Sequence, residues 1–187
     1  FHLLYLALPK LIHFLSQSIF PILVNIHIFL EFLLHAEICR AVVPHQNVED
    51  SSNSMKDKIS YRGPDDSGIW TDSDSRVALA HNRLSIIDLS KSGQQPMKSI
   101  SGRYIISFNG EIYNYLEIKE ILNKKYVDKY CWKSTSDTEV LINSIDILGL
   151  DNTLNLIKGM FAFALWDKIK KEMILVRDSF GEKPLYW

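Results

Sequence analysis

The chain has 187 residues, with 21 Lys and Arg against 22 Asp and Glu and a formal net charge of −1. That length suits one domain with a real core and room for an appendage. The near-neutral charge, without Lys or Arg tracts, offers no footprint for nucleic acid or an anionic surface. Two cysteines, Cys39 and Cys131, make neither a metal-ligand pattern nor a disulfide framework, so a reducing, cytoplasmic setting is the default.

Residues 1–38 are rich in Leu, Ile and Phe and carry only Lys10, Glu31 and Glu37 as charged side chains. Their most apolar window, Ser18 to Leu34, contains Pro21, Asn25, His27 and Glu31. It falls slightly short of the ~20 residues of a membrane span, and a central carboxylate costs on the order of 2.5–3.5 kcal/mol to insert. A signal peptide needs a basic start and a small-residue cleavage site, and neither is clear. Three readings stay open: non-native upstream sequence, a membrane-associated segment and a buried core helix. The compositional break near Cys39 and the initial Phe1 favour the first, giving an appendage of residues 1–38 and a domain of residues 39–187. The apolar end at Pro184-Leu185-Tyr186-Trp187 leads us to expect further sequence there as well.

Beyond the break, Asn47 to Ile59 suits a helix with Val48, Met55 and Ile59 on one face, broken by Ser60 to Pro64. Gly68-Ile69-Trp70 reads as a short strand, Asp72 to Ser75 as a turn, and Val77 to Ile87 as a second strand. Ser92 to Pro96 is a loop. Tyr104 to Phe108 is a strand running into Asn109-Gly110, a strong hairpin signal because both residues tolerate positive φ. Tyr115 to Lys125 is helical, with Ile118, Ile121 and Leu122 on one side. Cys131 reads as a structural cysteine in a strand. Ser136-Asp137-Thr138-Glu139 is a capping box opening a helix that ends at Gly149. Met160 to Trp166, apolar on both faces, fits a strand covered on both sides, and Asp167 to Lys171 turns it back into Met173 to Val176. The sum is mixed α and β without a regular βαβ alternation. No Walker-type glycine loop occurs.

Seven segments in order carry more than their parts: YRGPDDSG (Tyr61–Gly68), HNRLSIID (His81–Asp88), GQQPM (Gly93–Met97), NGEIYN (Asn109–Asn114), SDTEV (Ser136–Val140), GMFAFA (Gly159–Ala164) and RDSFGEKPLY (Arg177–Tyr186). Together they resemble the class II glutamine amidotransferase domain of asparagine synthetases. The resemblance implies an α+β, N-terminal-nucleophile fold, an αββα sandwich of two antiparallel sheets between helical layers, here incomplete at both ends. It implies a glutamine pocket in which Arg83 holds the substrate α-carboxylate, a planar group that suits a guanidinium fork. Asp137 pairs with the α-ammonium, Asn109 and Gly110 form the oxyanion hole, and Glu111 belongs to the same wall. Read singly, each has a plainer alternative: a hairpin turn for Asn109-Gly110, a helix-dipole acid for Asp137, a surface residue for Arg83.

In this family the nucleophile is an N-terminal cysteine whose own α-amine, which ordinarily titrates near ~7.7–8.0, serves as base. The Met-Cys-Gly-Ile opening is absent. The nearest candidate is Cys39 in Ile38-Cys39-Arg40-Ala41-Val42-Val43, somewhat close to Arg62 and with Arg40 in place of Gly. Cleavage after Ile38 exposes it; otherwise the start is damaged, and Ala41-Val42-Val43 must stand in for the family's first strand. The resemblance further implies a parent enzyme that feeds ammonia to a C-terminal synthetase domain using ATP and Mg²⁺ to amidate aspartate, with a homodimeric parent allowed. This chain holds no phosphate loop of that kind and calls for no cofactor or metal of its own. The alternatives are a catalytically dead glutamine-binding module and a non-functional fragment.

Overall fold

The computed structural model of the chain describes residues 37–41, 48–83, 91–125 and 131–186. Two antiparallel sheets form the centre. The first has strand order β1-β3-β2, from β1 (Glu37–Ala41), β2 (Asp66–Asp72) and β3 (Val77–Arg83). The second has order β4-β5-β6-β7, from β4 (Met97–Lys98), β5 (Tyr104–Ile112), β6 (Gly159–Asp167) and β7 (Glu172–Arg177). Helix α1 (Val48–Lys58) packs on the outer face of the first sheet. Helices α2 (Tyr115–Lys125), α3 (Asp137–Leu148) and α4 (Leu150–Leu156) form the opposite layer, with α3 against β4 and β5. The result is the α–β–β–α layering that the resemblance implies.

Side-chain alternation along the strands builds this stack. In β5 and β6, Ile105, Ala162, Ala164 and Trp166 turn inward and meet Val77 and Leu79 of β3 between the sheets. The alternate residues Ile106, Phe108, Phe161, Phe163 and Leu165 turn outward and pack under the helices with Leu141, Ile142 and Ile145. This double coverage is why β6 is apolar throughout, with both of its faces in a core.

Several expectations change. Asn109-Gly110 is not a hairpin: β5 continues to Ile112, pairing Asn109 with Ala162 and Gly110 with Phe161. The glycine is needed for close approach, since a Cβ there would lie 2.2 Å from the Met160 carbonyl oxygen, and its φ is +153°. On α2, Ile118 and Leu122 are buried at i,i+4 spacing, but Ile121 is 44% exposed. The capping box forms only in part. Ser136 Oγ accepts from Thr138 N–H at 3.1 Å. Glu139, however, takes the N–H groups of Lys133 and Ser134 at 2.9 and 2.8 Å, so it ties down the preceding loop and leaves Ser136 N–H to Ser134 Oγ. Cys131 lies outside any strand and is exposed, because the chain before α3 runs over the surface. Strand β4 and helix α4 were not anticipated. The expected extension of β3 to Ile87, and Val42-Val43, lie outside the described residues. Among the described residues no helix is long and apolar enough to cross a membrane.

Candidate functional site

The site is assembled where β3 and β5 face each other across the space between the sheets. Period-2 alternation places Leu79, His81 and Arg83 of β3 on the inner side, and Ile105, Ser107 and Asn109 of β5 on theirs. The contact between His81 Nδ1 and Ser107 Oγ, at 3.1 Å, joins the two strands. Two residues further along each strand stand Arg83 and Asn109, both buried. Burial, with the Arg83 charge adding to it, holds the His81 imidazole at a pKa of about 3, so this cross-sheet contact is made by a neutral ring.

Asp137 enters from the helical side at the first turn of α3. It is 5% exposed. Its Oδ2 accepts the Ile112 N–H at 2.9 Å and its Oδ1 the Thr138 N–H at 2.8 Å, which moors it to the end of the strand that carries Asn109-Gly110. Burial pushes its pKa up; the two backbone donors oppose that, and the Glu111 charge adds to it. An acid held in this state gains from a cation placed beside it. Glu111 follows Gly110 on the same strand and is exposed.

The residues just before β4, Gly93 to Gln95, pack against the other site elements. A Cβ on Gly93 would lie 2.4 Å from Arg83 Nη2, so the guanidinium rests on the bare glycine. Gln94 Nε2 donates to Asp66 Oδ1 and the Ser67 carbonyl, both at 3.2 Å. Gln95 turns inward to β5 and α3. On the other side, the Arg62-Gly63-Pro64-Asp65 turn lies on the end of β3. Asp65 N–H donates to the Arg83 carbonyl at 3.1 Å, and a Cβ on Gly63 would meet the Asn82 backbone at 2.4 Å.

The structure thus sets Arg83, Asn109, Gly110, Glu111 and Asp137 at the ends of adjoining elements. Cys39 is placed by register alone. It pairs with Ala80, in the row of β3 that alternates with the row of His81 and Arg83, and β1 begins with Glu37 opposite Asn82. Other motif residues are structural. Asn114 closes the loop after β5 by accepting Lys158 N–H and donating to the Leu156 carbonyl. Asp178 collects the N–H groups of Phe161, Phe180, Glu182 and Lys183. Burial raises its pKa, but those donors hold it below the usual carboxylate range. His81, Gly93 and Gln95 fall within the HNRLSIID and GQQPM segments but carry no individual role in the sequence reading. The signal available was the GQQPM segment, whose glycine and amides have no role in a plain loop. Among the described residues no group of three or more His, Cys, Asp or Glu could hold a metal ion.

Comparison with known proteins decides the lineage. Residues 36–187 match the glutamine amidotransferase domain family. The chain belongs to that family. The amidotransferase domain is 45% identical over 133 residues to an asparagine synthetase [glutamine-hydrolyzing] of Bacillus subtilis, covering 71% of this chain and 17% of that protein. It is 39% identical over 142 residues to the amidase chry2 of Gibberella zeae, covering 76% of this chain and 20% of that protein. The chain therefore spans about a fifth of the length of these relatives. Among solved structures, the glutamine phosphoribosylpyrophosphate amidotransferase of B. subtilis overlays 55% of the chain and 23% of its own, at 25% identity and a TM-score of 0.46.

Proposed function

We propose that the domain binds glutamine and hydrolyses its side-chain amide to glutamate and ammonia, on behalf of a longer protein that uses the ammonia to amidate aspartate. The observation that carries this reading is Asp137: a buried carboxylate with raised pKa, fastened to the strand that bears Asn109-Gly110. It pairs with the substrate α-ammonium, and Arg83 forks the α-carboxylate. With the amino acid held at both charges, the amide reaches Asn109 and Gly110, whose N–H donors take the charge of the tetrahedral intermediate. A thiolate attacks the amide carbon, ammonia leaves, and water then cleaves the thioester to glutamate. In this reading Cys39 supplies the thiol: cleavage after Ile38 frees the amine that serves as its base and releases the new chain end from its register with Ala80, in the row that alternates with His81 and Arg83, so that it turns over toward Asn109. ATP and Mg²⁺ act only in the synthetase domain that receives the ammonia.

Two measurements test the proposal separately. Calorimetry with glutamine tests the pocket; binding must appear, and must be lost in Asp137→Asn. Ammonia release from glutamine tests the chemistry, and must disappear in Cys39→Ala. Absence of binding sinks the pocket reading. Binding without release, in protein whose chain starts at Cys39, leaves a glutamine-binding module.

A further inference from the structure

The GQQPM segment makes a contact that glutamine recognition does not account for. Strand β4 pairs with β5 only through Met97 with Ile106 and Lys98 with Ile105. Continued by two residues, that register sets Gln95 opposite Phe108, next to Asn109. The Gln95 backbone does not form this rung, because its carbonyl is turned onto β2, where a Cβ on Gly68 would sit 2.1 Å from it. The side-chain amide forms it instead. Oε1 accepts the Phe108 N–H at 2.6 Å, and Nε2 donates to the Phe108 carbonyl at 3.2 Å. The same Nε2 lies 3.5 Å from Thr138 Oγ1, on the residue after Asp137. Gln95 is 7% exposed, and Thr138 in turn donates its N–H to Asp137.

We propose that Gln95 is a positioning residue: its side-chain amide acts as a ladder rung on Phe108 and a strut to Thr138, holding the Asn109-Gly110 strand and the Asp137 helix end in one register. This deepens the glutamine reading, since the two elements it ties hold the two ends of that substrate. The choice of residue follows from chemistry. A backbone-like rung needs one donor and one acceptor in a plane, and Gln and Asn alone carry both in one amide. A peptide rung reaches neither Thr138 nor across the layer to α3.

The test compares the full chain with Gln95→Leu, which keeps the bulk, and Gln95→Glu, which keeps the acceptor and loses the donor. Backbone amide exchange is read by NMR without any ligand. In Gln95→Leu, exchange at Ile112 and Thr138 accelerates at least tenfold, while Leu165 of β6 and Ile145 of α3 keep their wild-type rates. Gln95→Glu protects Phe108 as in wild type but not Thr138. Unchanged rates at Ile112 and Thr138 in folded Gln95→Leu overturn the proposal, as does an equal rise at Leu165 and Ile145. If Gln95→Leu does not fold, the Thr138 rate in Gln95→Glu decides alone. In parallel, glutamine binding by calorimetry weakens at least tenfold in Gln95→Leu. Wild-type protein that binds no glutamine removes the substrate reading, and the exchange rates still decide the role of Gln95.

Discussion

Gly93→Ala offers a direct probe of how Arg83, the arginine proposed to fork the substrate carboxylate, is seated. A Cβ at residue 93 would stand 2.4 Å from Arg83 Nη2, 2.9 Å from Cζ and 3.2 Å from Nη1. Ordinary contact distances are about 3.5–4.0 Å, so the guanidinium must retreat by about 1 Å. The obstructing atoms are the far end of a flexible side chain, and Gly93 has no left-handed φ to lose. The fold therefore yields easily, and the melting temperature should stay within about 3 °C of wild type. The pocket does not yield so easily. A displaced fork loses a charge-assisted hydrogen bond to the substrate carboxylate, worth about 1.5–3 kcal/mol. At about 1.4 kcal/mol per tenfold, glutamine binding weakens on the order of 10- to 100-fold. Calorimetry with glutamine and with 4-aminobutanamide, which lacks the α-carboxylate, isolates the contact. Gly93→Ala should weaken the first ligand and leave the second unchanged. Wild-type affinity for glutamine in Gly93→Ala, or an equal loss for both ligands, would refute this account of Arg83.

Three further expectations concern stability. Gly110→Ala forces a non-glycine residue to φ +153° with its Cβ 2.2 Å from the Met160 carbonyl oxygen, a backbone atom that has little room to move. Strain of about 1–3 kcal/mol should lower the melting temperature by about 2 °C or more; an unchanged melt would show that β6 can shift away. His81 has a folded pKa of about 3 against 6.5 for the free side chain, so only the unfolded chain takes up its proton as the pH falls below 6.5. Stability present above pH 6.5 should then be lost toward pH 3, at about 1.4 kcal/mol per pH unit from this group. Urea melts at pH 7, 6 and 5 should show that slope, with His81→Phe flatter than wild type; parallel slopes count against it. Asp72 is raised by burial but lowered more by Lys171 Nζ at 2.8 Å and by the Ser75 N–H and O–H, and comes to rest at about 2. Its contribution is complete above pH 3.8 and lost as the pH falls through about 2. Lys171→Met should cost about 0.5 kcal/mol near neutrality, and its gap from wild type should close across that window.

Much of the fold was legible because it rests on local rules. Tyr115 to Lys125, the helix between Ser136 and Gly149, and the doubly apolar β6 declare themselves through period, caps and composition. The errors share one cause. Asn109-Gly110 carries the local chemistry of a hairpin, but its neighbours in space are Ala162 and Phe161, more than fifty positions along the chain. The pairing of β5 with β6 supplies the hydrogen bonds that a turn would otherwise have made. Glu139 was expected to close a capping box, but the loop at Lys133 and Ser134 offers it two N–H donors. Ile121 shares a helical face with Leu122 on paper, yet that face is wider than the area α3 covers.

The sequence by itself determined the lineage, because seven motifs in order identify a family without coordinates, and that lineage in turn supplied the residues proposed for the pocket. The tertiary structure decided how those residues are held. Arg83 is seated on Gly93, Asp137 is moored to Ile112, His81 bridges to Ser107, and Gln95 stands in for a missing rung beside Asn109. Each of these joins residues of different elements through side-chain contacts. Such contacts leave no period or spacing in the sequence, so only the packing of the two sheets reveals them.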